Sequence, residues 1–137
     1  MQRMHATPGD VVTAFFEVYN TKRYEDLRSC LAATYFDHTL AYVRSLEDAI
    51  EVLASTHCSF PDLHVDIDDL ISEGELVVFR GRFTGTHLGD FAGVGATGRR
   101  VEFEAIEIFK VKDGRIAESW GYWPSHDILR QLQQLIA

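Results

Sequence analysis

Four side chains in this sequence have the type and placement for proton transfer: Glu107, His87, His38 and Asp127. Glu107 lies among Phe103, Ala105, Phe109 and Val111 at a spacing of two. A carboxylate on such an apolar strand face is desolvated, which raises its pKa toward the working range of a general acid or base. Ile106 and Ile108 hold the other parity, so a bulge, or a neighbouring Arg or Tyr hydroxyl, gives Glu107 a purely structural place instead. His87 shares parity with Val77, Phe79, Gly81 and Phe83. An imidazole at the rim of that face can hold or protonate a carbonyl, and a core histidine bonded to the backbone gives the same pattern. His38 follows Tyr35-Phe36-Asp37 where a helical stretch ends, a position that also suits free carbonyls and a helix dipole. Asp127 falls in the first turn of a closing helix, where the dipole alone stabilises an acid.

Two patterns suggest other chemistry. GVGATG, Gly93 to Gly98, fits the dinucleotide fingerprint G-x-G-x-x-G. That fingerprint needs a helix after it, whose N-terminus holds the pyrophosphate. Here Arg99 to Ala105 reads as strand, so no nucleotide site is expected. His87 to Gly98 reads as a long hairpin loop whose glycines supply positive φ. Its Leu88, Phe91 and Val94 suggest that it folds back over apolar surface. His64, Asp66 and Asp68 alternate on one strand face; spacing offers no fourth ligand, so this side is expected to face solvent or a second copy, and no metal is expected.

These residues need elements to position them. Thr7-Pro8 signals a helix start, and Val11, Val12, Phe15, Phe16 and Tyr19 recur at helical spacing up to a stop at Asn20. A second helical stretch carries Tyr24, Leu27 and Leu31. Ser45 with Asp48 opens a third, with Ala49, Ile50, Leu53, Ala54 and His57 on one face. After Phe60-Pro61-Asp62 the period becomes two. Strands are expected through Leu63, Val65 and Ile67, through Val77 to Phe83, from about Arg100 to Val111, and from Arg115 to Trp123, with turns at Glu73-Gly74-Glu75 and Asp113-Gly114. Trp120 and Tyr122 share parity with Ile116, while Trp123 falls on the other side; aromatics there can wall a ring-shaped ligand or pack in a core or dimer. Ser125 caps a closing helix with Ile128, Leu129, Leu132, Leu135 and Ile136. Helices followed by hairpin-linked strands give an α+β fold.

Composition narrows the classes. The 46% hydrophobic fraction supplies a core, and no run approaches a bilayer span. A net charge of -8 without a basic stripe argues against nucleic acid and anionic membranes, Arg99-Arg100 being an isolated pair. The first ten residues lack a secretory pattern, so a cytoplasmic location is expected. Cys30 and Cys58 are expected as reduced, half-buried thiols, with a disulfide left open.

FPDL, GTHLGDFAGVGATGRRVEF, DGRIAESW and FDHT together resemble the SnoaL-like polyketide cyclases of the NTF2-like superfamily, from about Phe15 to Leu135. The resemblance implies one domain over residues 1–137: a cone of curved antiparallel sheet around N-terminal helices, with an apolar pocket. It also implies a homodimer or higher homo-oligomer and acid–base chemistry without metal, nucleotide or other cofactor, on a small apolar or polycyclic, polyketide- or terpenoid-like substrate. By the same resemblance His38 faces the pocket mouth. Phe15, Tyr19, Phe91, Trp120 and Tyr122 are the expected substrate contacts, and His87, His38, Asp127 and Glu107 the expected catalytic set. The family cyclases carry an acid in W-x-x-x-D; here Trp120-Gly121-Tyr122-Trp123 leads to Pro124, and Asp127 lies one helical turn on. Aldol-type cyclisation or isomerisation fits such a set, and so does a non-catalytic apolar-ligand binder.

Overall fold

The computed structural model describes residues 6–133. Helix α1, Pro8–Thr21, begins at a reciprocal cap: Asp10 N–H donates to Thr7 Oγ1, and Thr7 N–H donates to Asp10 Oδ2. It continues one residue past Asn20 to a left-handed C-cap at Lys22. Asn20 is not the stop that its type suggests. Its side-chain amide pairs with the backbone of Val65, tying the helix to the sheet edge (Nδ2 to Val65 O, 3.1 Å; Val65 N to Oδ1, 2.8 Å). A 3-10 turn, Tyr24–Asp26, and the short α2, Leu27–Cys30, lead into strand β1, Leu31–Asp37.

Strand β1 overturns the expected helix. Leu27, Leu31 and Tyr35 sit at helical spacing, but Thr34-Tyr35-Phe36 favours strand, and pairing decides between them. β1 lies parallel beside β5, Arg115–Tyr122, with Asp37 opposite Ser119. Helix α3, Leu46–Ser59, is capped by Ser45, whose hydroxyl accepts from Asp48 N–H at 3.0 Å. β2, His64–Glu73, β3, Leu76–Thr86, and β4, Arg100–Lys112, complete the sheet in the order β1-β5-β4-β3-β2, antiparallel except at β1. Helix α4, Ser125–Gln133, closes the described chain; the expected apolar positions Leu135 and Ile136 lie outside it.

One face of the sheet carries Val77, Phe79, Phe83, Val101, Phe103, Ala105 and Phe109, all buried beneath the helices. Phe16 of α1 stacks on Phe79 at 3.9 Å and meets Phe109 edge-on at 5.6 Å. The Phe79 ring lies across Gly81, where any β-carbon would collide with it. His57 locks α3 to the end of α1: its Nε2 bonds Tyr19 O at 2.8 Å, and its Nδ1 bonds the Tyr24 hydroxyl at 2.7 Å. Burial holds His57 below its ordinary pKa, and the neutral ring suits both bonds, donating through Nε2 and accepting at Nδ1. The two cysteines are free but differently placed: Cys30 is buried and Cys58 exposed, so neither is the half-buried thiol expected.

The glycine-rich loop is a miniature hairpin. Phe91 and Val94 exchange backbone bonds of 2.9 and 2.8 Å around Ala92 and Gly93, both at positive φ, the backbone of a two-residue primed turn. Its base is pinned to the end of α3. Leu88 N–H and Gly89 N–H both donate to Ser59 O, and Ser59 Oγ donates to Asp90 O at 2.6 Å. Phe91 packs edge-on against Phe60, whereas Leu88 is exposed.

Phe16→Ala is expected to lower unfolding free energy by about 3–5 kcal/mol, because that ring meets several others and its loss leaves a cavity. Ser45→Ala is expected to cost about 1 kcal/mol through its cap. Urea denaturation measures both, and equal losses would contradict this division between core and cap.

Candidate active site

On β4, Glu107 faces inward with the aromatic core, flanked across the sheet by Phe79 of β3 and Gly121 of β5. Gly121 makes room for it: a β-carbon there would stand 3.3 Å from Glu107 Oε1. Trp123 Nε1–H donates to Glu107 Oε2 at 3.1 Å, and the Trp123 ring packs against Phe83 and Phe103. One step along the inner face of β5, the Ser119 hydroxyl bonds the Tyr35 hydroxyl of β1. Tyr19 reaches in from α1 among Phe15, Phe16 and Phe83.

Electrostatics follow from this dry setting. Burial is the main cause that lifts Glu107 from its ordinary 4.5 to about 7; the Trp123 hydrogen bond opposes the shift and the charge of Asp37 adds to it. Burial first, then the charge of Glu107, holds the Tyr19 hydroxyl well above its ordinary value, so it is a neutral donor at all working pH values. Tyr35 is raised by burial as well. Asp37 takes the backbone N–H groups of Thr39 and Leu40 at 2.9 and 3.0 Å, which anchors the turn leaving β1. This set can hold a proton near neutral pH on one carboxyl and present phenol donors beside it. That is the requirement for moving a proton α to a carbonyl.

The other expected site residues are dispersed. β5 carries one more residue than β4 between Ile116 and Glu118, and this irregularity exchanges the two faces beyond it. Trp120 and Tyr122 therefore point to the outer face, not inward with Ile116, and Trp123 takes the inner position. His38 also lies on the outer side of the sheet, away from Glu107. It stacks flat on Trp120 at 4.5 Å and bonds Glu118 Oε1 at 2.8 Å. His87 is fully buried, away from Glu107 along β3. Its Nδ1 accepts from Thr97 N–H at 3.2 Å and meets Thr97 Oγ1 at 3.0 Å, and its Nε2 has no hydrogen-bond partner among the described residues. Its observed bonds hold the glycine-rich loop. The Asp127 carboxylate turns to Gln131 Nε2 at 3.0 Å and to Arg130. Gln131 in turn pairs with the backbone of Glu102, so Asp127 steadies the contact of α4 with β4. Phe15 and Tyr19 stand beside Glu107's face, and Phe91 covers Phe60. Trp123, Tyr35, Ser119, Asp37 and Gly121 were not legible as site residues. The helical spacing of Leu27, Leu31 and Tyr35 conceals the β1 pair, and the extra residue in β5 conceals the others.

On the outer face, Asp68 and Asp69 pair with Arg82 and Arg80, and His64 bonds Asp66. A groove of about 430 Å³ lies on the far side of α1, lined by polar residues including Asp10, Glu17 and Asp26, and it contains none of the Glu107 set. No helix of the described residues is long and apolar enough to cross a membrane.

A sequence profile of the SnoaL-like polyketide cyclase family matches residues 9–132. The chain belongs to that family. Among relatives, aklanonic acid methyl ester cyclase DnrD of Streptomyces peucetius is 25% identical over 126 residues, covering 88% of this chain and 86% of its own. The structure of TsrD from Streptomyces laurentii superposes with TM-score 0.88 at 29% identity, covering 98% of this chain and 100% of that one. IdmH of Streptomyces antibioticus superposes at TM-score 0.82 and 30% identity, over 93% and 99% of the two chains. The α+β fold with its curved sheet is the one shared with these two structures.

Glu107 makes stability depend on pH. Its native value is raised, so between about 4.5 and about 7 the native state keeps a proton that the unfolded chain releases. Stability therefore falls as pH rises through that window and levels off above it, with a cost of about 3 kcal/mol for the buried charge. Glu107→Gln is expected to match wild type near pH 4.5 and to exceed it above pH 7 by an amount of that order, read from urea midpoints across pH. A constant difference at all pH values would contradict the buried-charge account.

Proposed function

We propose that this chain is a cofactor-free cyclase that closes a ring in a small apolar, polyketide-like substrate by an aldol step. The observation that carries the reading is the buried carboxyl of Glu107, poised near neutrality on the concave aromatic face. Ionised Glu107 takes a proton α to one substrate carbonyl. The enolate carbon attacks a second carbonyl carbon, forming the C–C bond, and the resulting alkoxide takes the proton back from Glu107. The step is redox-neutral and needs no co-reactant. The Tyr19 hydroxyl supports the enolate oxygen as a neutral donor, and Phe15 with the neighbouring rings supplies the apolar wall. Isomerisation uses the same proton transfer without the ring-closing attack. His87 has a structural role, holding the glycine-rich loop away from Glu107. The free thiols Cys30 and Cys58 suit a reducing cytoplasm, and one domain over 1–137 suffices for this chemistry.

A polyketide-type keto ester incubated with the protein tests the reading, with ring closure followed by chromatography. Glu107→Gln is expected to reduce turnover by about 10²–10⁴-fold while ligand binding persists. Full turnover by Glu107→Gln would remove the carboxyl from the mechanism. A second reading, a non-catalytic binder, draws on Pro124 where the family cyclases carry an acid, and on Asp127 being held by Gln131. It predicts ligand binding by wild type with no turnover of any such ester.

The outer sheet face supports a homodimer. Ile71, Val78, Ile108 and Trp120 form one row across four strands, and Ile106 and Tyr122 continue the patch in the next. Ile106→Lys is expected to shift sedimentation from dimer to monomer. A wild-type monomer at micromolar concentration would exclude the dimer.

A further inference from the structure

The acid–base reading does not say which oxygen of Glu107 moves the proton, or what aims it. The two oxygens differ. Oε2 takes the Trp123 N–H at 3.1 Å. Oε1 lies over bare backbone at Gly121, where a β-carbon would come within 3.3 Å of it, and no described residue hydrogen-bonds to it. The direction of the Trp123 N–H is constrained, because the indole packs against the stacked pair of Phe83, at 4.7 Å, and Phe103, at 5.0 Å. Both Trp123 and Gly121 face inward only because β5 carries its extra residue before Glu118.

We propose that Trp123 and Gly121 form a socket that orients Glu107, with Trp123 holding Oε2 and Gly121 leaving Oε1 as the oxygen that takes and returns the proton. Trp123 is then a positioning residue. This rests on the cyclase reading above. The titratable groups facing Glu107 are Tyr19 from α1 and Tyr35 and Asp37 from β1; from β3 it meets the apolar Phe79. Asp37 raises Glu107, so the indole is the neighbour that favours its ionised form.

The test is Trp123→Phe, which keeps an aromatic ring against Phe83 and Phe103 but removes the N–H. Glu107 is titrated in the ligand-free protein by carboxyl carbon NMR, and kcat and KM for ring closure are measured against pH. The Glu107 midpoint is expected to rise by about one pH unit, with the acid limb of kcat/KM moving equally. At pH 7 kcat is expected to fall about fivefold, as the ionised fraction of Glu107 drops, and to recover at higher pH, with KM little changed. An unmoved Glu107 midpoint overturns the socket whatever the rates do. A midpoint that moves while the rate profile stays fixed overturns Glu107 as the base, and the cyclase reading falls separately. Gly121→Ala is the second variant, should Trp123→Phe fail to fold. It is expected to displace Oε1 and lower kcat roughly hundredfold, and an unchanged kcat overturns the role of Oε1.

Discussion

Between Ile116 and Glu118 the last strand carries one residue without a counterpart on β4. Strand side chains alternate, so a single extra residue inverts every position after it. Ser119, Gly121 and Trp123 turn to the core, and Trp120 and Tyr122 turn to the outside. Were β5 to pair regularly from Ile116 onward, Trp120 would stand opposite Glu107 in place of Gly121, Tyr122 would turn inward beyond it, and the indole of Trp123 would face away. The inner chemistry and the outer apolar row depend on the same local irregularity.

The carboxyl that results is held at a cost. A charge buried without a cation is unfavourable, and Glu107 meets another acid, Asp37, where a stabilising pair would place a base. Stacked and edge-on rings offset this: Phe16 on Phe79, Phe83 on Phe103, and Phe15 on Phe109. The packing leaves Glu107 buried, and the Trp123 N–H holds its carboxyl on the inner face. Stability and a usable proton are thus coupled through the same set of aromatic contacts.

How far these features are legible in the sequence depends on the range of the interaction. Thr7-Pro8, Ser45 and Asp113-Gly114 act locally, and the helices and hairpin follow from them. The alternation of Phe103, Ala105 and Phe109 correctly turns Glu107 inward, because β4 pairs with β3 without a break. Leu31 to Asp37 misleads, since the decision between helix and strand comes from a partner more than eighty residues away. Trp120 misleads because parity counted from Ile116 passes through an irregularity that no residue type announces. His38 follows both errors, lying at the end of β1 and stacking on Trp120. GVGATG fits a motif but lacks the helix that would give it function, and it closes as a tight turn.

Gln131 has a further consequence. β4 extends past the end of β5, and its backbone there has no strand on that side, while β3 pairs with it on the other. The Gln131 amide supplies both a donor and an acceptor to Glu102, imitating one residue of a neighbouring strand. An uncovered stretch of this kind is a template for pairing with another chain. One side chain on the closing helix therefore occupies the hydrogen-bonding positions that such a chain would take at Glu102.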